Sequence, residues 1–146
     1  MQHLHRVDIQ QLAEISADGT VIEIMTKAGR LRRWADLLER SGDLLNTLEG
    51  TEHLDAGSRR AMRCDNSPFT VAYNDPVLRA AGLEGDTYGE IERFFKLTDR
   101  QLHFIVCSCT LGGCVSGNAA SARVRTLIPW SSRLSSIAEG IRRWFS

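Results

Sequence analysis

Apolar residues along this chain recur mostly with a helical period. From Thr26 onward, Ala28, Leu31, Trp34, Ala35 and Leu38 fall on one face, with Arg30, Arg32, Arg33 and Arg40 mostly elsewhere. Ser41-Gly42 stops that helix. Leu44, Leu45 and Leu48 predict a short second helix ending at Gly50, and residues 55–63 predict another. Residues 65–75 read as a loop, in which the alternation of Phe69, Val71 and Tyr73 predicts a short extended piece.

Start signals are plain further on. Asp75-Pro76 offers a cap followed by proline at the first helical position, and Gly82 closes that helix. Thr87…Glu90 and Thr98…Gln101 have the spacing of capping boxes. They open helices that bury Ile91, Phe94 and Phe95, then Leu102, Ile105 and Val106, with Gly112-Gly113 breaking the second. A helix from about Asn118 to Ile128 turns Ala120, Val124, Leu127 and Ile128 inward and stops at Pro129. Residues 132–145 predict a last, amphipathic helix with Leu134, Ile137, Ala138, Ile141 and Trp144 on one stripe.

The first 25 residues differ. Asp18-Gly19, followed by Val21, Ile22 and Ile24, reads as a β-hairpin, with a frayed or partner-bound arm as the competing view. The expected fold is therefore mainly α: five to seven helices around one core, in a single domain spanning residues 1–146, with a small N-terminal hairpin. At 146 residues such a chain buries roughly 70% of its unfolded surface and needs no metal or disulfide to fold.

Charge refines this picture. Eighteen basic and eighteen acidic residues cancel, which argues against a dedicated nucleic-acid binder. Five arginines against one acid, Glu139, make residues 121–146 basic, and the remainder of the chain is acidic to match. The tail thus suits an acidic surface, on its own chain or another. No apolar run approaches the ~18 residues of a membrane span. Met1 to Asp8 lacks the order of a secretory signal, so a cytoplasmic location with reduced cysteines is the expectation.

Candidate chemistry is concentrated between His103 and Asn118. His103, Cys107, Cys109 and Cys114 are four soft-metal ligands within twelve residues, so an N/S₃ zinc or iron site is geometrically conceivable. The spacing lacks the paired knuckles of zinc modules, and cysteine is a common core residue, so packing is the leading reading and no cofactor is expected. Cys114 is the candidate nucleophile because it sits in a glycine loop before a helix N-terminus, with His103 as the nearest base in sequence. Gly112 and Gly117 match the outer glycines of a phosphate loop, but Asn118-Ala119 stands where that motif needs Lys-Ser/Thr.

The functional expectation is a non-enzymatic interaction or regulatory domain. Its docking element is the C-terminal stripe of Leu134, Ile137, Ile141 and Trp144, and Pro129-Trp-Ser-Ser offers a hinge for a swapped homodimer or another protein partner. The alternative is a cysteine-based site, metal-binding or thiol-reactive, on residues 107–118.

Overall fold

The computed structural model describes residues 26–107 and 112–129. The expected N-terminal hairpin, Cys109 and the C-terminal stripe with Leu134, Ile137, Ile141 and Trp144 lie outside the described residues.

Seven α-helices and one two-stranded antiparallel sheet make up the described fold, so the mainly α class holds. Helix α1 (Lys27–Ser41) starts at Thr26, whose hydroxyl accepts from the Gly29 N–H at 3.0 Å, and ends at Gly42 in the left-handed region, φ +62°. It buries Ala28, Leu31, Trp34, Ala35 and Leu38, the face the spacing predicts. After it come strand β1 (Leu44–Asn46), a 3₁₀ turn (Thr51–His53), α2 (Ala56–Arg60), α3 (Pro68–Tyr73) and α4 (Pro76–Ala80). Then follow α5 (Tyr88–Phe95), α6 (Asp99–Val106), strand β2 (Cys114–Ser116) and α7 (Gly117–Thr126).

Two segments differ from expectation. Leu44 and Leu45 form a strand, not a helix: Leu45 pairs with Val115 and is buried, while Leu44, opposite Ser116, is 64% exposed. Leucine's helical preference is weak, and a distant partner strand overrides it. Residues 68–73 form a helix, not an extended piece. Ser67 and Thr70 exchange the reciprocal bonds of a capping box, Pro68 occupies the first helical turn, and Phe69 and Ala72 are buried three residues apart.

Boundaries shift elsewhere. The helix expected over 55–63 spans only Ala56–Arg60, with Asp55 as its cap. Helix α6 stops at Val106, before the glycine pair, because Cys107 turns extended and forms a parallel bridge with Leu48. Helix α7 begins one residue early, at Gly117, under a Ser116 cap, and ends at Thr126. At Thr87 only half of the predicted box forms: the Thr87 hydroxyl caps Glu90, whose carboxylate instead binds Arg93 and the Glu84 N–H.

The core is aromatic around α1. Trp34 stacks on Phe95 with ring centroids 4.5 Å apart, and its indole N–H donates to the Pro68 carbonyl at 2.9 Å. Phe94 meets Phe95 edge-on, and Phe69 meets Tyr88 the same way. Helix α1 packs against α3, α5 and, most extensively, α7. The α1–α7 approach is close because Gly117 lacks a side chain: a Cβ there would lie 2.2 Å from the Leu38 carbonyl oxygen. A partly buried ion pair ties α1 to α4. Arg33 grips Asp75 through two bonds of 2.6 and 2.9 Å, and Asp75 also caps Leu78.

Candidate functional site

The polar residues of α6 do not act alone. Thr98 and Gln101 form the full predicted capping box, which sets Asp99 in the first turn of α6. Arg59 of α2 reaches across and holds the Asp99 carboxylate at both oxygens, at 3.0 and 2.6 Å. The buried Tyr88 hydroxyl donates to Asp99 Oδ1 at 2.8 Å. Arg59 also donates to the Thr51 and Leu54 carbonyls, and the Thr51 hydroxyl lies 3.1 Å from His103 Nε2. Arg59 thereby fastens the 3₁₀ turn to α6.

Electrostatics follow from these bonds. The Arg59 guanidinium, helped by the Tyr88 hydroxyl, holds the Asp99 carboxyl below its usual range despite partial burial. Burial, and then the bond to Asp99, pushes the Tyr88 phenol well above its usual range. At neutral pH Asp99 is thus an anion that accepts three side-chain bonds, and Tyr88 is a neutral donor. The arrangement is a satisfied clasp joining α2, α5, α6 and the turn.

The sequence-predicted ligands are distributed around this clasp. His103 lies in α6, but Cys107 is the extended residue that closes it and not part of the helix; the Cys107 N–H donates to the His103 carbonyl at 3.1 Å. Cys107 is fully buried among core residues. Cys114 is not in a loop: it occupies β2 opposite Asn46 and is exposed on the outer face of the sheet. Cys64 is half-buried, and burial pushes its thiol up. Among the described residues no three His, Cys, Asp or Glu side chains converge to hold a metal ion. Arg59, Tyr88 and Thr51 were not candidates from the sequence, because nothing local links residues that are up to 52 positions apart. Within the clasp, Asp99, inside a capping box, and His103, in the candidate ligand cluster, carried a local signal.

A second feature lies on the opposite partner of α1. The groove between α1 and α7, about 370 Å³, is lined by Arg32, Ala122, Arg125, Thr126 and Ile128. Its rim is charged: Arg125 bonds Asp36 at 2.7 Å and Glu39 at 2.8 Å, and both acids are more than half exposed. Ile128, the last residue before Pro129, is buried at its end. No helix among the described residues is long and apolar enough to cross a membrane. The chain matches no protein-family model, no characterised protein and no solved structure.

Proposed function

We propose that this chain is a non-enzymatic interaction domain that takes an amphipathic helix in the groove between α1 and α7. The observation that carries this reading is the make-up of the groove. Ala122 and Ile128 line it together with Arg32, Arg125 and Thr126, and Arg125 is paired with Asp36 and Glu39. Aliphatic side chains beside paired charges are what a docking surface offers, and helix-in-groove recognition uses such a surface with anchors at i, i+3, i+4 and i+7. Its walls are two helices locked by backbone contact at Gly117, so the surface is already formed before a partner arrives.

A labelled peptide with the sequence of residues 130–146 is a suitable probe, because it carries Leu134, Ile137, Ile141 and Trp144 at helical spacing. Its fluorescence anisotropy should rise on titration with the protein. Ala122→Arg, at an exposed position of α7, should abolish the rise without lowering the melting temperature. Binding unaffected by Ala122→Arg would refute the groove as the docking surface. Sedimentation velocity over a range of concentrations tests the homodimeric form of the same reading. A thiol-reactive site is the second reading, favoured by the exposure of Cys114 on β2, and alkylation mapping tests it.

A further inference from the structure

We infer that residues 52–64 form a strap latched by charge, which opens as a unit when ionic strength rises and bares the acidic face of α5 and α6 beneath it. Burial is the first ground. None of these residues is buried, and α2, at the centre of the strap, buries no side chain. Its apolar hold on the core comes from Met62 and Cys64, both only partly buried. The flanks differ. Thr51 is fully buried beside His103, Asp65 and Asn66 are bonded to Asn46 of β1, and Ser67 is buried as the cap of α3. An element with few buried apolar contacts opens locally while the rest of a fold stays closed.

Charge is the second ground. Three arginines of the strap meet three acids of the body. Arg59 holds Asp99 in the clasp, Arg60 reaches Glu92 at 3.4 Å, and Arg63 grips Asp86 at 3.1 and 3.0 Å. The Arg60 and Arg63 side chains are 58% and 50% exposed, so salt reaches both pairs. Exposed ion pairs contribute little each and are screened by salt. The screening length falls from about 10 Å at 0.1 M to about 3 Å at 1 M. The latch therefore weakens with salt, whereas the core around Trp34 is held by burial.

Contact with α5 is the third ground. The Tyr88 N–H donates to the Met62 carbonyl at 2.8 Å, and a Cβ at Gly89 would lie 2.8 Å from Arg60 Cβ. The strap thus lies directly on the first turn of α5. Opening frees the Tyr88 N–H and leaves Asp86, Glu92 and Asp99 without their cations. Exposure of this acidic face becomes a function of ionic strength.

Amide hydrogen exchange of the full chain, read residue by residue by NMR, tests the strap. At about 1 M sodium chloride the Tyr88 and α2 amides should exchange about fivefold faster than at about 0.05 M, while the Leu38 and Val124 amides of α1 and α7 keep their rates. Arg63→Asp and Asp86→Arg should each give a similar acceleration at low salt, and the two combined should restore slow exchange. Tyr88 and α2 amides that ignore salt, or that exchange only together with those of α1, would overturn the strap. A combined variant as fast as the single ones would overturn the latch by charge. The salt comparison uses the unaltered chain, so it decides even where a single substitution fails to fold.

Discussion

Adding one methyl group at Gly117 should separate two opposed effects. Gly117 opens α7, so alanine there improves helix propensity by at most about 1 kcal/mol. Packing opposes this. The new Cβ would lie 2.2 Å from the Leu38 carbonyl oxygen and 2.6 Å from Ser41 Oγ. Ser41 is itself bound to the Leu38 carbonyl, at 2.7 Å, so its hydroxyl is not free to swing away. An ordinary C···O contact is about 3.3 Å, so α7 must retreat from α1 by about 1 Å. A gap of that size forfeits a quarter to a half of each dispersion contact across the interface. It would loosen Ala120, Ser121 and Val124, which α7 buries on this side. The retreat also strains the Gly117 N–H bond to the Asp43 carbonyl, 3.2 Å long. Overpacking of this kind costs about 2–3 kcal/mol. The net loss is about 1–2 kcal/mol, or roughly 4–8 °C in Tm. Urea denaturation followed by circular dichroism should show a lower midpoint at unchanged m. Ala122→Gly at the exposed face of the same helix is the control, losing about 0.5–1 kcal/mol through propensity alone. A Gly117→Ala protein as stable as the parent, or more stable, would refute the close α1–α7 approach.

Trp34→Ala should cost about 3–5 kcal/mol, because it removes the stack on Phe95 and leaves the Pro68 carbonyl without its donor; a Tm within two degrees of the parent would place Trp34 outside the core. The Asp99 clasp predicts acid sensitivity. Its folded pKa lies below the ordinary 3.8, so its contribution is present above about pH 4 and is lost as pH falls through the lowered folded value. Asp99→Asn should therefore be less stable than the parent at pH 7, with the difference shrinking below pH 4 in pH-dependent melts. Because Asp99 is 36% exposed, the effect should be modest, and a difference independent of pH would refute the electrostatic account. Brief iodoacetamide treatment with mass-spectrometric mapping should label Cys114 ahead of Cys64, whose thiol burial pushes up, and Cys107 last; preferential labelling of Cys107 would contradict its burial in the core.

The local signals that survived into the structure are those that need only a few neighbouring residues. Asp75, Thr87 and Thr98 cap the helices they announce because a cap is closed within one turn. Apolar periodicity marked the buried faces of α1, where the stripe is long, and of α5 and α6, where a threonine cap precedes a short one. Where three or four apolar residues stood alone, period could not decide. Leu44–Asn46 became a strand because residues 114–116, some seventy positions away, offer it backbone bonds. Phe69, Val71 and Tyr73 became part of a helix because Ser67 and Thr70 closed a box that outweighed their alternation. The clasp of Arg59, Tyr88, Asp99, Thr51 and His103 and the groove between α1 and α7 depend on tertiary structure for the same reason. Each gathers residues from distant segments, and no local pattern encodes which arginine meets which acid once the helices pack.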